Sequence, residues 1–358
     1  MLIGFISINL VGCSKETSIP VPADPPLSQE NDIESGEEIN PEALLAALKN
    51  HVPIESIGEI PIPEDNPTTE KKVELGQALF FDPRLSGNNK VSCATCHDPN
   101  LGYGDGKPTF EAYNGGHGKR NSPTVINSGY YTTNFWDGRA ATLEEQALGP
   151  IENPNEMNQN LDELVEELKA IEGYEELFKE VFSDGITEQN IAKALAAFER
   201  LIVVKDTPYD QFLQGKTDAL TQQELRGLDL FTGKAFCVTC HNGPNLSDNS
   251  FYNVGLNTED EGRFAITGDD RDLGRIRTPS LYGITHTAPY MHNGSIATLE
   301  DVIEYYDRGG DNHPNKSFFM QQFMKPIGLS YQEKEELLAF LKVLGGDPPI
   351  FTKPELPK

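Results

Sequence analysis

Apolar residues recur at i, i+3 and i+4 through six stretches of this chain, 72–80, 161–182, 188–203, 222–231, 299–306 and 332–344. That period predicts amphipathic helices. Thr187 and Thr221 stand just before Glu-containing first turns and read as N-caps. No sustained alternation of apolar and polar residues predicts a strand, so the expected fold class is all-α. The connections are long and rich in Gly and Pro, notably 101–118 and 242–274. Loops of that length mark functional segments, or an interior filled by a bound group in place of a dense helical core.

The pattern changes before residue 67. Residues 14–66 are rich in Pro, Glu, Asp and Ser and read as an acidic, extended tether, with a short helix over 42–50. Met1 to Leu10 is apolar but too short to span a bilayer. It runs into Leu10-Val11-Gly12-Cys13-Ser14, which resembles a bacterial lipoprotein signal with Cys13 as the lipidated residue. No Lys or Arg precedes the apolar run, as a signal of this kind should have. The expectation is a signal over 1–13 and a mature chain outside the cytoplasm, in the periplasm, touching the membrane only through a lipid anchor.

A length of 358 residues allows two domains, and the net charge of −27 excludes nucleic acid as a partner. So acidic a surface steers basic partners, such as a small electron carrier, or is simply solvated.

The candidate chemistry lies in two pentapeptides, Cys93-Ala94-Thr95-Cys96-His97 and Cys237-Val238-Thr239-Cys240-His241, which use four of the five cysteines. Each is a C-x-x-C-H, the attachment signature of c-type haem. Two thiols three positions apart on one helical turn can each join a haem vinyl group, and the following His is then held against the iron. A four-cysteine zinc site would place its pairs closer together and has no use for the trailing His. A thioredoxin-like redox pair needs one C-x-x-C beside a βαβ pattern that is missing here. Two covalent haem c groups are therefore expected.

The chain also echoes itself. Leu79-Phe80 precedes the first motif and Leu230-Phe231 the second. Arg120-Asn121-Ser122-Pro123-Thr124 returns as Arg277-Thr278-Pro279-Ser280, and Gly138-Arg139-Ala140-Ala141-Thr142-Leu143-Glu144 as Gly294-Ser295-Ile296-Ala297-Thr298-Leu299-Glu300. The duplication predicts two haem domains, 67–205 and 206–350, meeting near 204–210, with a tail over 351–358.

From about residue 74 to 344 the chain resembles the bacterial di-haem cytochrome c peroxidases and their MauG-type relatives. The resemblance is carried by Leu79-Phe80-Phe81-Asp82-Pro83-Arg84-Leu85-Ser86, Phe135-Trp136-Asp137-Gly138-Arg139, Glu145-Gln146-Ala147 and Thr287-Ala288-Pro289-Tyr290-Met291-His292, in that order. It implies two cytochrome c-like domains with unequal haems. The haem on Cys93, Cys96 and His97 would react with hydrogen peroxide. The haem on Cys237, Cys240 and His241 would receive electrons from a small cytochrome c or cupredoxin. Trp136, the single tryptophan, would lie between them.

Glu156 and Gln146 match the family's polar pair on the peroxide side. Splitting the O–O bond requires a proton moved from the near oxygen to the leaving one, and a carboxylate can shuttle it. Asn121, with the carbonyls of Thr287 and Pro289, matches a calcium site, a donor set of oxygens that suits this ion. Tyr306 falls where ordinary peroxidases carry a methionine ligand and MauG-type relatives a tyrosine; Met291 is a nearby competitor. His117, on a Gly-rich loop, is the candidate distal ligand that holds the first haem closed. His286 and His292 read as second-layer or haem-propionate contacts. Three functions follow: a peroxidase, a MauG-like enzyme oxidising residues of a partner protein, or a non-catalytic electron carrier or sensor. The MauG type also uses a surface tryptophan just before its second motif, where this chain has Lys234-Ala235-Phe236. The resemblance leaves a homodimer open.

Overall fold

A computed structural model describes residues 38–111, 113–311, 316 and 318–358. Residues 39–358 form one compact unit; residues 1–38 form another, of which only Glu38 is described. The signal expected over 1–13 and the lipidated Cys13 lie outside the described residues.

The described chain is mostly helical: α1 (Pro41–His51), α2 (Glu70–Phe80), α3 (Cys93–Cys96), α4 (Leu143–Glu152), α5 (Leu161–Lys169), α6 (Glu172–Val181), α7 (Glu188–Glu199), α8 (Pro208–Leu213), α9 (Gln222–Thr232), α10 (Phe264–Thr267), α11 (Leu299–Asp307), α12 (Phe318–Phe323) and α13 (Tyr331–Val343). Strands β1 (Phe251–Tyr252) and β2 (Ile276–Arg277) form a small antiparallel pair with Phe251 opposite Arg277. Thr187 accepts from the Asn190 N–H. Thr221 accepts from the Glu224 N–H, and the Glu224 carboxylate accepts from Thr221 N. Both N-caps thus satisfy helix donors left without an internal partner. Among the described residues no helix is long and apolar enough to cross a membrane.

Two helix pairs organise the unit in the same way. Helix α2 packs on α7, and α9 packs on α13. Each pair closes on a glycine. A Cβ at Gly76 would run into the Ala194 carbonyl and Phe198; one at Gly227 would run into the Glu336 carbonyl and Phe340. Rings lock each crossing: Phe80 on Phe198, centroids 5.1 Å apart, and Phe231 on Phe340, also 5.1 Å. The contact of backbone on backbone explains why glycine occupies both positions. The spacing of glycine to Leu-Phe, in Gly76-Gln77-Ala78-Leu79-Phe80 and Gly227-Leu228-Asp229-Leu230-Phe231, is the local signature of the echo.

Several elements differ from the periodicity. The helix expected over 161–182 is two, because Ile171 is extended (φ −103°, ψ 105°) and breaks the run. The break lets Tyr174 donate to the buried Asp82 carboxylate at 2.6 Å while Leu161, Leu164 and Leu168 stay inward. Helix α4, capped by Thr142, was not legible, because Gly149 and Pro150 disguise its last turn.

The acidic segment is not a free tether as far as residue 66. Leu44, Leu45, Leu48, Ile54 and Ile57 are buried in the core, and buried Asn66 donates to Glu144 and to the Lys193 carbonyl. Leu44, Leu45 and Leu48 share one face of α1, which a composition average hides. The tail also packs: Phe351 meets Phe198 with centroids 5.0 Å apart, and the Lys358 carbonyl accepts from Gly173 N.

Candidate haem and peroxide site

Both C-x-x-C-H motifs are tight turns that present unpaired thiols, α3 for the first and a 3-10 turn over Cys237–Thr239 for the second. Ser92 N donates to Thr95 Oγ1 and closes the start of α3. The two histidines are held alike. His97 Nδ1 lies 3.0 Å from the Tyr103 carbonyl, and His241 Nδ1 lies 3.0 Å from the Leu246 carbonyl. A carbonyl only accepts, so Nδ1 carries the proton and Nε2 keeps its lone pair for a metal. Burial pulls both imidazoles below their ordinary pKa, against the carbonyl bond, and keeps them neutral. Tyr103 and Leu246 reach back through the left-handed region (φ 56° and 49°).

Beside the first motif lies a cavity of about 910 Å³ whose wall includes Cys93, Cys96, His97, Trp136, Gln146 and Glu156. It is at the upper end of the ~300–1,000 Å³ usual for ligand pockets. Two thiols, a ligating imidazole and a mostly apolar wall in one cavity fit a covalently held haem. A buried polar atom points the same way: Ser128 Oγ, from a residue of this wall, has no hydrogen-bond partner among the described residues.

The three residues expected to act here are brought together. Gln146 projects from α4. Glu156 follows in the turn after α4, accepts from Asn153 Nδ2 at 2.7 Å, and is raised above the usual carboxylate range by burial, with Arg139 opposing. Trp136 is pinned between halves of the chain. Its Nε1 donates to the Asn121 carbonyl at 2.9 Å, and its own carbonyl accepts from Arg277 N of β2. Strand β1 then leads back to the second motif, since Tyr252 Oη donates to Asp248, whose N–H donates to the Cys240 carbonyl.

The cavity wall is completed by a segment the sequence reading assigned to the other domain. Thr258 to Glu261 and Ala265 line it, from the loop after the second motif. Arg120 latches this loop with bonds to Asp260 at 2.6 and 2.8 Å and to Asp137 at 2.6 Å. Sequence reasoning missed the latch because Arg120 and Asp260 are distant in the chain. It also missed Glu199, a buried carboxyl on the wall. The signal was available, since Glu199 follows Leu195 by four residues on the apolar face of α7.

His117 is exposed and does not line the cavity: its backbone bridges with Glu111 and the Gly118 N–H donates to the Phe110 carbonyl, while Phe110 and Glu111 form part of the wall. Tyr306, on α11, lies against the second motif. Burial pushes its phenol up, with Cys240 and Cys237 among its electrostatic neighbours, and its hydroxyl has no hydrogen bond to a described residue. Asn121 is buried and donates Nδ2 to the Lys107 carbonyl, and its Oδ1 accepts no hydrogen bond from the described residues. Its N–H donates to the His292 carbonyl, and Thr287 and Pro289 lie on the turn before His292. The His292 ring packs edge-on against Trp136 at 6.4 Å, whereas His286 bonds the Gly346 carbonyl at the surface.

Paired haem motifs with differently built surroundings define a di-haem c-type oxidoreductase. The comparisons make the class specific. Residues 70–218 match the family model of the di-haem cytochrome c peroxidases, and residues 277–309 match that of the RoxA-like, cytochrome c-like proteins. Methylamine utilization protein MauG of Methylorubrum extorquens is 41% identical over 303 residues, 83% of this chain and 85% of that one. Cytochrome-c peroxidase IdrP1 of Pseudomonas sp. (strain SCT) is 36% identical over 343 residues, covering 86% and 89%. A solved MauG-like protein associated with microbial copper homeostasis superposes with a TM-score of 0.74 at 36% identity, over 80% of this chain and 93% of that one. The chain belongs to the di-haem cytochrome c peroxidase family, whose cofactors are two c-type haems.

Proposed function

We propose that this chain reduces hydrogen peroxide to water at the cavity beside His97, with electrons delivered at the His241 end by a small cytochrome c or cupredoxin. Each turnover joins one H2O2 with two protons and two electrons to give two waters. The observation that carries the reading is the convergence of Glu156, Gln146 and Trp136 on the cavity that also contains His97. A haem bound there supplies the iron at which peroxide is split and the electrons that split it. Glu156 accepts the first proton of peroxide and returns it to the departing oxygen, and Gln146 orients the oxygen pair. Trp136 bridges the two ends.

Steady-state consumption of peroxide with a reduced small carrier tests this. Saturable turnover is expected, and its rate with a basic carrier should fall as salt rises, because the −27 charge speeds encounter only while unscreened. No peroxide-dependent oxidation of the carrier, together with a spectrum indifferent to cyanide, would instead mark a simple electron carrier.

The same proposal assigns Tyr306 as second ligand of the His241 haem, supported by its electrostatic contact with Cys237 and Cys240 and by a hydroxyl with no hydrogen bond among the described residues. Tyr306→Phe should replace the low-spin EPR signal of that haem with a high-spin one; an unchanged signal removes the ligand. Calcium at Asn121, Thr287 and Pro289 is supported by the buried Asn121 Oδ1, which has no donor among the described residues. Tethering through Cys13 outside the cytoplasm rests on the sequence pattern alone.

The Tyr306 position and the likeness to MauG also favour a second reading, oxidation of a partner protein. Its mark is peroxide-driven covalent change in the partner with no reduced carrier present. Phe236, 60% exposed just before the second motif, speaks against it, because phenylalanine is a poorer radical relay than tryptophan.

A further inference from the structure

One buried carboxyl is left unused by this scheme. Glu199 is 7% exposed and lines the first cavity with Leu195, one turn earlier on α7. It acts electrostatically on the Cys93 thiol, whereas the charged group that acts on His97 is Asp105. Its carboxyl has no hydrogen-bond donor among the described residues. The adjacent Arg200 directs both terminal nitrogens to Glu144, at 2.8 and 3.1 Å. Beyond that pair, Asn66 binds Glu144, and Lys72 binds Asn66 in turn. A carboxyl placed for structure alone would have taken one of these donors, because burying it unpaired is costly.

We propose that Glu199 is a redox-linked proton carrier of the first haem site, binding one proton when that haem gains one electron and releasing it when the electron leaves. The electron comes from the small carrier and the proton from solvent, so charge in the wall stays balanced. The physical basis is that a charge in a weakly screened wall interacts strongly with the cofactor filling the cavity. Burial pushes the Glu199 carboxyl up to about 8, with Arg200 opposing and Glu144 adding to the rise, so it holds its proton near neutrality. An oxidised, more positive haem favours the carboxylate.

The test is a redox titration of the holoprotein at a series of pH values, followed by EPR so that the two haems are read separately. In the wild type the potential of the first haem should fall with rising pH on the acid side of about 8. The slope should approach about 59 mV per pH unit, the one-electron equivalent of a tenfold change in proton activity. Glu199→Gln should flatten it and Glu199→Asp should retain it. A slope that survives in Glu199→Gln, or is lost only in Glu156→Gln, overturns the assignment. If Glu199→Gln fails to take up haem, reduced-minus-oxidised difference infrared of the wild type decides. A protonated-carboxyl band gained on reduction supports the proposal, and its absence overturns it. The inference rests on haem occupying this cavity. A purified chain without a Soret band sinks that reading, whereas a haem protein with a pH-independent potential sinks only this one.

Discussion

Replacing Glu156 by Gln is expected to lower peroxide turnover by about 10²–10⁴-fold, the usual contribution of a positioned proton-transfer group. The exchange keeps shape and an oxygen for Asn153 Nδ2, so packing after α4 should survive and haem content should not change. What disappears is the group that takes a proton from one peroxide oxygen and gives it to the other. The pH profile sharpens the test. Glu156 must be ionised to accept the first proton, and burial raises its pKa, so activity should be lost on acidification at a higher pH than for an ordinary carboxylate. Arg139 opposes that rise, so Arg139→Gln should move the acid limb further up. A Glu156→Gln protein with full rate would remove the assigned role.

The largest stability effect is expected from Arg120→Ala. Arg120 holds two nearly buried carboxylates, Asp137 and Asp260, whose side chains are 6% and 14% exposed. Removing the cation leaves both charges without their main partner, a loss of about 3–5 kcal/mol for a buried pair broken from one side. Chemical denaturation should show this as a lower midpoint at unchanged slope. Acid resistance should fall with it. Burial opposes the charge on Asp260, yet the Arg120 bonds and the Gly262 N–H hold its carboxyl at about 2. That contribution is full above the unfolded value of about 3.9 and is lost as pH falls toward 2. In Arg120→Ala the loss should begin at higher pH. The same variant frees the loop that carries Thr258 to Glu261, so peroxide turnover should fall even where the protein stays folded. A variant as stable as the wild type would show that the Asp137 carboxylate is satisfied by Arg139 and that of Asp260 by the Gly262 N–H.

The sequence by itself determined what is local. Amphipathic periods placed most helices, Thr187 and Thr221 marked their starts, and each C-x-x-C-H carries its chemistry within five residues. The glycine and Leu-Phe echo before each motif likewise encodes a helix crossing in a few positions. The family resemblance named Glu156, Gln146 and Trp136, which meet in one cavity because α4, the turn after it and the Trp136 loop are set by short-range geometry. Tertiary structure decided the rest, because it depends on contacts between residues far apart in the chain. It closed the first cavity with a loop from after the second motif, held by Arg120 on Asp260. It turned His117 to solvent by pairing its backbone with Glu111, drew the acidic segment onto the core through a handful of apolar side chains, and left Glu199 buried with no donor among the described residues. Period and motif report which face a residue occupies; only the assembled chain fixes which partner stands opposite it, and burial without a partner is what makes a carboxyl such as Glu199 chemically distinct.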